Sequence, residues 1–454
     1  MVPAAFEPFL KASPVCVLAR IVLERLFLPE RLDQLFRDTA QRQYQQELLF
    51  SQVAELMLAT TLRTEHSIGA AYHKRADQMP VSRQAVYDKL RCVELGISAA
   101  LVRDSARQVA PVIQHLRATL PPLIEGYRSR VLDGNYLAAT QRRLKVHRDS
   151  WAAALPGKVL VIYEPELDLV TDAFLTPDGH ANERELIDRV VPHIRAEDLW
   201  IADRNFCTLG FLTALQKARA AFVIRQHGTL KGELLGGRRS PGRCETGEVY
   251  EQEVEFRYQE QTLRVRRVSV VLDRPTRDGD TEIHVLTNLP ATVATGARVA
   301  ELYLKRWLIE NRFYELAMTL NCEPDTLAYP PAALFAFCLG LMASNAVALL
   351  KGSLRSVHGA EAVSELSSYY LTEEVRATWV GMNIALPGPL WQPLGVLRLE
   401  SFAELLREIA RRVDPTRYRK AKRGPKKPPP AKKPYKNGGH VSTHRLLQEH
   451  KRQS

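Results

Sequence analysis

The segment from Tyr303 to Glu310 holds the residues best suited to chemistry. It places a phenol, the guanidinium of Arg306 and a carboxylate at positions i, i+3 and i+7. At 3.6 residues per turn, these positions fall on one face of a helix. We predict that the helix presents this face along a cleft and buries a neighbouring apolar stripe. The alternative is a plain surface ion pair between Arg306 and Glu310. The stripe consists of Leu302, Ile309, Phe313, Leu316 and Leu320.

Two aspartates complete a set of acids drawn from distant parts of the chain. Asp133 ends the predicted strand at 131–133, and Asp203 ends the apolar run 199–202. Strand ends in an open α/β sheet define the crevice where ligands bind, so we expect both aspartates to meet Glu310 there. An aspartate at a strand end is more often a turn residue than a catalytic one, and other acids of the region compete with these two. The competing acids, for which turn roles suffice, are Glu164, Glu166, Asp168, Asp172 and Asp178.

Three carboxylates in one crevice repel each other, and burial disfavours their charged forms. Divalent cations remove this conflict. Two Mg²⁺ ions about 3.5–4 Å apart would also clamp the attacking and leaving oxygens of an in-line phosphoryl displacement. Oxygen ligands without a nearby Cys/His cluster indicate Mg²⁺ or Mn²⁺ rather than zinc. The predicted cofactor is therefore two Mg²⁺ ions, replaceable by Mn²⁺, held by Asp133, Asp203 and Glu310.

The elements that must position these acids lie between residues 128 and 225. Two β-branched runs separated by a turn around Pro165 predict a hairpin. A helix, a strand, a helix and a strand follow. Three strands and then this alternation are typical of a ribonuclease H-like α/β core. The hairpin strands are predicted at 158–163 and 169–175, the helices at 183–191 and 209–219, and the later strands at 199–203 and 221–225.

Helical segments are predicted on both sides of this core. Near the N-terminus, Ser82 is a predicted N-cap for a helix rich in polar side chains. That helix is either a DNA-reading helix or a solvated face. The predicted regions are a helical DNA-binding region (1–115), a catalytic core (116–227 and 291–330), a β-rich insertion with Gly and Pro turns (228–290), a helical C-terminal region (331–410) and a disordered basic tail (411–454).

The positive charge is concentrated in that tail. The chain of 454 residues has a net charge of +12, and the stretch from Arg411 to Lys436 holds twelve Lys/Arg against one acid. Eleven of the twelve net charges therefore lie in a Pro-rich segment that cannot form a core. The rest of the chain is close to neutral.

Several observations favour a reduced cytoplasmic protein. The six cysteines show no C-x-x-C pair or zinc spacing, and the first residues lack the basic and apolar regions of a signal peptide. The uncharged run 332–350 approaches the length of a membrane span. Its Ser344 and Asn345 and its solitary occurrence favour a helix buried in a large core.

Together, these motifs resemble a known family. Asp133-Gly-Asn, Asp203-Arg-Asn-Phe and Tyr303-x2-Arg306-x3-Glu310 are similar to the three acidic motifs of DDE transposases of the insertion-sequence 4 family. The resemblance covers about residues 128–325 and includes a β-rich insertion before the glutamate. One departure is Ala317, which stands where the family has a lysine seven residues after the glutamate.

The resemblance implies Mg²⁺-dependent cleavage at the ends of a mobile element, followed by attack of the freed 3′-hydroxyl on another strand. Arg306 would pair with a DNA phosphate and Tyr303 would donate to a phosphate oxygen. Arg204 and Arg225 would flank the substrate, and the alternative for each is a surface cation. Trp307 is predicted to face the core rather than to stack on a base. The expected partner is double-stranded DNA, the expected assembly is a homodimer, and the expected location is the cytoplasm, in association with the nucleoid.

Two other functions remain open. Another ribonuclease H-like nuclease, such as a resolvase, is the nearest enzyme, although the long strand-rich gap between Asp203 and Glu310 favours a transposase. A catalytically impaired DNA-binding protein descended from a transposase is the alternative from another class, because Ala317 lacks the family's positive charge.

Overall fold

The computed structural model describes residues 3–148, 152–276, 279–421, 424 and 440–453. Helices occupy mainly the two ends of this part of the chain, and strands occupy its middle. The helices are α1 (Glu7–Ala12), α2 (Pro14–Leu26), α3 (Pro29–Thr39), α4 (Phe50–Thr61), α5 (Ile68–Lys74), α6 (Arg83–Arg91), α7 (Leu95–His115), α8 (Ile187–Val190), α9 (Leu209–Lys217), α10 (Gly296–Leu304), α11 (Trp307–Thr319), α12 (Pro330–Ser364), α13 (Ser368–Ala385), α14 (Gly388–Gly395), α15 (Leu399–Ala410) and α16 (Thr443–Gln453). The strands are β1 (Arg128–Tyr136), β2 (Ala153–Leu155), β3 (Lys158–Glu164), β4 (Leu169–Thr176), β5 (Asp198–Ala202), β6 (Ala221–Arg225), β7 (Glu233–Cys244), β8 (Gly247–Tyr258), β9 (Gln261–Leu272), β10 (Glu282–Thr287) and β11 (His440–Ser442).

A mixed sheet of nine strands forms the centre of the protein, in the order β4-β3-β1-β5-β6-β10-β9-β8-β7. β1, β5 and β6 run parallel, whereas β3 is antiparallel to both β1 and β4. The predicted hairpin around Pro165 is confirmed as β3 and β4, and the two later predicted strands are confirmed as β5 and β6. The parallel pairing of β1 and β5 places their carboxyl ends side by side.

The β-rich insertion extends this same sheet. β10 pairs antiparallel with β6, and β9, β8 and β7 follow in turn as antiparallel neighbours. Strand pairing therefore continues without a break from the predicted core into the insertion. The insertion consequently forms one wall of the space beyond the end of β6.

The two faces of the sheet are buried under different helices. On one face, residues such as Val131 and Val223 join a large apolar cluster that packs against α7, α10, α11 and α12. On the other face, Leu132 and Phe222 join a smaller cluster covered by α8 and α9. Successive strand residues point to opposite faces, so burial of both faces requires nearly continuous apolar strands. The protein is therefore a mixed α/β fold with helices on both sides of the sheet.

Helix α12 carries the long apolar run and lies inside the protein. It is long and apolar enough to cross a membrane, a test that core helices also pass, and its most apolar window is 94% buried. The buried Asn345 amide donates to Ser105 Oγ and to the Val170 carbonyl, each at 2.9 Å. Its Oδ1 accepts from the Val170 N–H at 2.9 Å. The polar group within the run is thus satisfied by neighbouring protein.

The N-terminal helices share a core with the sheet. α7 packs on both β4 and α12 within the large apolar cluster. The predicted N-cap of α6 is confirmed, because Ser82 Oγ accepts from the Ala85 N–H at 3.3 Å. Arg83, Gln84 and Tyr87 are exposed on α6, so its polar face is accessible. A role of that face in reading DNA stays a prediction.

The prediction of a disordered tail from residue 411 is wrong for the parts of the tail that the structure describes. Val413 and Tyr418 are only 2% and 3% exposed and pack in the large cluster. Further on, β11 pairs in parallel with β2, and Arg445 on α16 forms an ion pair with Asp178 at 2.7 Å. The composition of the tail did not predict these contacts. Its numerous lysines and prolines indicate disorder, although a few apolar residues pack into the core.

The most basic part of the tail lies outside the described residues. These positions, 422–423 and 425–439, contain all the prolines of the tail beyond Pro415. The disorder predicted for them therefore stays a prediction.

Candidate active site

Asp133 and Asp203 are positioned by the neighbouring strands β1 and β5. Asp203 directly follows β5, as predicted. Asp133 lies within β1, which runs on to Tyr136, so the prediction that Asp133 ends a strand is wrong. β1 continues because its last residues keep pairing with β3. Leu132 lies opposite Ala202 in the parallel pair, so both aspartates still emerge at the same edge of the sheet.

Tyr303, Arg306 and Glu310 lie on two consecutive helices rather than on the single predicted helix. α10 ends and α11 begins on either side of Lys305 and Arg306. The N–H groups of these two residues bond to carbonyls three residues earlier, as in a 3₁₀ turn. The 3₁₀ turn winds the backbone more tightly than an α-helix does, but the backbone continues in the same helical direction. The three signature side chains therefore still converge on the edge of the sheet.

Hydrogen bonds join the signature residues to the two aspartates. Arg306 Nη1 donates to Asp133 Oδ2 at 2.9 Å and to Glu310 Oε1 at 2.5 Å. Tyr303 Oη donates to Asp203 Oδ1 at 3.2 Å. The side chains of Asp133 and Arg306 are 15% and 12% exposed, so their contact is largely shielded from solvent. All five predicted residues thus meet in one place.

Burial makes the charge on Asp133 costly. Loss of hydration raises the pKa of its carboxyl from 3.8 to about 7, although Arg306 and the Gly134 N–H pull it down. The nearby charges of Glu310 and Asp203 raise this pKa further. Desolvation therefore outweighs the ion pair, and the site favours a proton or a second cation on Asp133.

The two other polar groups of the site also have shifted pKa values. Burial, with the adjacent charge of Asp203, raises the pKa of Tyr303 to about 12. Its phenol therefore remains a hydrogen-bond donor at neutral pH. Burial alone would lower the pKa of Arg306, but the attraction of Asp133 and its neighbours raises it above the ordinary value. Arg306 therefore remains a cation.

The donor set fits a hard divalent cation. Its oxygens belong to Asp133, Asp203 and Glu310, and a cation would relieve the burial cost carried by Asp133. Arg306 supplies the positive charge between Asp133 and Glu310 in this arrangement. Among the residues that the structure describes, no three His, Cys, Asp or Glu side chains lie close enough together to hold an ion as placed.

Asp203 and Glu310, together with Tyr303 and Arg306, border an open cleft of about 740 Å³ between the ends of β5 and β6, the α10–α11 junction and the insertion. Asp133 lies behind Arg306, to which it is hydrogen-bonded. Arg204 is exposed at the rim of the cleft. Arg225 lines the cleft and forms an ion pair with Asp280 at 2.7 Å. Both predicted flanking arginines therefore lie on the cleft. Sequence reasoning missed several other lining residues, which have no motif and come from turns of the insertion: Glu245, Asp273, Arg274 and Thr276.

The prediction that Trp307 faces the core is wrong. Its side chain lines the cleft and is 55% exposed, because the junction between α10 and α11 turns it away from the apolar stripe. Tyr314, two turns further along α11, is 56% exposed. The cleft therefore has an aromatic surface directly beside Glu310.

Ala317 is exposed on α11, seven residues after Glu310. Neither neighbouring cation simply replaces the missing lysine. Arg312 is buried, with ion pairs to Asp168 and Glu315. Lys305 is exposed but lies before Glu310, in the junction between the helices. The positive charge of the family pattern is thus absent from this face of α11.

The competing acids lie away from the cleft, and ion pairs account for most of them. Glu164 pairs with Arg130 at 2.9 Å, and Asp172 with Arg103 at 3.1 Å. Glu166 accepts from the Leu123 N–H at 3.4 Å. The expectation that turn roles would explain these acids is therefore too narrow, since burial beside arginines accounts for several of them.

Residues 137–346 of the chain match the family model described as the transposase DDE domain. This range includes Asp203 and the Tyr303–Glu310 segment, and it begins four residues after Asp133. No curated protein sequence matches the chain. Among solved structures, the chain is similar to the cryo-EM structure of a piggyBac transposase synaptic complex with hairpin DNA, at 9% identity and a TM-score of 0.41. That alignment covers 85% of this chain and 82% of the other.

DDE transposases in general use divalent metals, in keeping with the carboxylate oxygens that meet here. The match to the transposase DDE domain supports a DDE transposase.

Proposed function

We propose that this chain is a transposase of the insertion-sequence 4 family, which binds the ends of the element and catalyses metal-dependent strand cleavage and strand transfer. The observation that carries the proposal is the meeting of Asp133, Asp203 and Glu310 around Arg306 and Tyr303 at the edge of a wide cleft. These residues are distant in sequence. Apolar contacts would be sufficient to hold the same elements together, so folding alone does not explain why charged and polar side chains converge here.

The strand arrangement supports a ribonuclease H-like core within the mixed α/β fold. β1, β3 and β4 precede α8, and β5, α9 and β6 then alternate along the chain. In the sheet these strands are adjacent, in the order β4-β3-β1-β5-β6, with the acids at the shared edge of β1 and β5. The insertion is attached to β6 and borders the cleft.

The residues divide the chemistry between them. Asp133, Asp203 and Glu310 would hold two Mg²⁺ ions, which supply charge neutralisation at the attacking and leaving oxygens of phosphoryl transfer. Arg306 has a planar fork suited to a phosphate, and its permanent charge remains available at any working pH. Tyr303 keeps its proton and can donate to a phosphate oxygen. Arg204 and Arg225 would line the path of the backbone.

The exposed Trp307 adds a surface for a nucleobase. Stacking of a base on an aromatic side chain contributes about 1–3 kcal/mol in single-strand complexes. Its position beside Glu310 suits a base displaced near the cleaved phosphate. The proposed partner is thus double-stranded DNA, held by two copies of the chain so that two ends can be paired, in association with the nucleoid.

The decisive experiment is incubation of the protein with DNA that carries the inverted repeats flanking its gene. We expect Mg²⁺-dependent nicks at the repeat ends and, with a target plasmid, joined products. Retarded but intact DNA would favour the alternative function, a catalytically impaired DNA-binding protein, for which the missing charge at Ala317 is the specific observation. Cleavage without preference for the repeats would favour another nuclease.

A first prediction concerns the metal. Cleavage should require Mg²⁺ or Mn²⁺ and disappear in EDTA, whereas Ca²⁺ should support end binding with little turnover, because its looser coordination misaligns the reacting oxygens. Gel analysis of one end-labelled substrate in each metal measures both effects. Strong cleavage in EDTA would contradict the assignment of Asp133, Asp203 and Glu310 as metal ligands.

A second prediction concerns the tail. Truncation at 410 would also remove the buried Val413 and Tyr418, so substitution with glutamine is the cleaner change. Of the twelve Lys/Arg between Arg411 and Lys436, five contact described residues of the protein and seven lie outside the described residues. The seven are the ones to be substituted. These are Lys422, Arg423, Lys426, Lys427, Lys432, Lys433 and Lys436. If about half of them neutralise phosphates, the salt dependence of duplex binding should weaken by about 3, at about 0.9 per phosphate.

A matched control uses basic residues of the tail that already have partners. Arg412 pairs with Glu7 at 3.0 Å, and Arg419 with Glu365 at 3.2 Å. Their replacement by glutamine should change the salt slope less per residue. The loss should be similar for specific and random duplexes, because phosphate contacts carry no base information. An unchanged slope in the sevenfold variant would mean that this segment does not engage DNA.

A further inference from the structure

We infer that Glu183 is a positioning residue that fixes the loop after Asp203 against the strand that carries Asp133. The inference rests on the proposed function. Glu183 begins a single 3₁₀ turn before α8, on the sheet face opposite Asp133. Its carboxylate contacts Gly134, which follows Asp133, and Asn205, two residues after Asp203.

The first contact is with Gly134, directly after Asp133. A side chain at this position would have its Cβ 2.4 Å from Glu183 Oε1 and 2.6 Å from its Cδ. Real Cβ atoms do not approach other atoms this closely, so the carboxylate occupies the space that the glycine leaves. The glycine of the Asp133-Gly-Asn motif therefore has a packing reason, which is close approach of the Glu183 carboxylate to β1.

The second contact is with Asn205, two residues after Asp203. Asn205 Nδ2 donates to Glu183 Oε2 at 2.6 Å. The neighbouring Arg184 Nε donates to the Asn205 main-chain oxygen at 2.8 Å. Side chain and main chain of Asn205 are thus held by consecutive residues of one turn. This turn restrains the loop in which Asp203 sits.

The charge of Glu183 calls for an explanation beyond folding. The residue is 9% exposed, and within the described part of the chain no Lys or Arg forms an ion pair with it. In general, burial of a carboxylate against a neutral amide is costly. A glutamate that served packing alone would be replaceable by an apolar residue.

The consequence lies in the spacing of the two catalytic aspartates. β1 and β5 are adjacent, so Glu183 can contact the segments that follow both aspartates. Arg306 and Tyr303 contact the aspartates themselves, from the opposite face of the sheet. A displacement of about 1 Å in a catalytic group can cost about a hundredfold in rate. Mutation of residues that orient metal ligands typically lowers metal affinity or activity by about 10–100-fold.

The test begins with Glu183→Ala, and Glu185→Ala serves as the matched control because Glu185 is exposed on the same turn. We expect Glu183→Ala to weaken Mn²⁺ binding, measured by calorimetry without DNA, by about 10–100-fold. Cleavage of end DNA should fall by a similar factor and recover in part at high Mn²⁺. The control should match the unmodified protein, and end binding should be unchanged in both.

A reciprocal exchange separates positioning from a general loss of stability. Asn205→Asp alone places two carboxylates together and should impair Mn²⁺ binding. Adding Glu183→Gln to that variant reverses the hydrogen bond, since the new amide now donates, and should restore Mn²⁺ affinity to within a few fold. Gly134→Ala, which displaces Glu183, should reproduce the defect of Glu183→Ala. Circular dichroism melts identify the variants that fold.

The outcomes distinguish this inference from the proposed function. Unmodified protein that binds Mn²⁺ and cleaves ends, with Glu183→Ala equal to it in both, would overturn the positioning role alone. Failure of the reciprocal exchange to restore Mn²⁺ affinity in a folded protein would do the same. Unmodified protein that binds no Mn²⁺ and cleaves nothing would overturn the proposed function and the inference with it.

Discussion

Replacement of Asp133, Asp203 or Glu310 by alanine abolishes DNA cleavage in our expectation, while folding and binding to the ends remain nearly intact. The loss should exceed the effect of about 10–100-fold that is typical of residues that only orient a ligand, because in the proposed site each carboxylate would supply oxygens to the metal ions themselves. The measurement is single-turnover cleavage of end-labelled DNA in Mg²⁺, with a gel-shift assay of end binding in Ca²⁺.

A suitable control is Glu245→Ala. Glu245 is an exposed acid that lines the same cleft but makes no contact with the three carboxylates. It tests whether loss of any negative charge near the DNA path changes the rate, and we expect little effect. A variant of Asp133, Asp203 or Glu310 that cleaves at the unmodified rate would remove that residue from the site.

The second large effect is a pH-dependent change in stability when Asp133 is replaced by asparagine in metal-free protein. The folded-state pKa of Asp133 is about 7, against about 3.9 for an unfolded aspartate. Because the folded pKa is the higher one, this group stabilises the fold fully below about pH 4. That contribution is lost as the pH rises towards 7.

Asparagine keeps the shape of the side chain without the charge, so it removes this loss. At pH 8 in EDTA, Asp133→Asn should be more stable than the unmodified protein, and near pH 4 the two should be similar. The rise in the pKa of Asp133 from 3.8 to about 7 corresponds to at most about 4 kcal/mol, because a tenfold change in proton affinity is worth about 1.36 kcal/mol. Chemical denaturation curves at the two pH values measure the difference.

Metal should reverse the order of stability. Mg²⁺ binds the ionised carboxylate, so it competes with the proton and should stabilise the unmodified protein increasingly from pH 5 to about 7. Asp133→Asn should gain little from Mg²⁺ at any pH. Equal stabilisation of the two proteins by Mg²⁺ at pH 8 would contradict the role of Asp133 as a ligand.

Local pattern was sufficient for much of the fold. The strands β3 to β6 and the N-cap at Ser82 agree with expectation, because strand alternation and capping depend on residues close in sequence. The three acids were identified from their motifs, and the structure brings them together. Asp133 was displaced from a predicted strand end because pairing with β3, a long-range interaction, prolongs β1.

The exposure of Trp307 shows where local pattern fails. Its helical phase depends on whether α10 and α11 form one helix, and the 3₁₀ turn at Lys305 and Arg306 changes that phase. Packing of two helices against the sheet decides such a turn, and the segment itself does not reveal it. Local pattern also fails to reveal the role of Arg312. Its ion-pair partner, Asp168, is distant in the sequence and is brought to it only by the fold.

The sequence by itself determined the chemistry available to this protein, since carboxylates, a guanidinium and a phenol at fixed spacings are properties of the chain. Tertiary structure alone decided how these groups are held. Burial by the sheet and helices raises the pKa of Asp133, and Glu183 reaches the segments after both aspartates only because β1 and β5 are neighbours. Desolvation and long-range contacts depend on the complete packing of the chain, so they cannot be predicted from the pattern of a short segment.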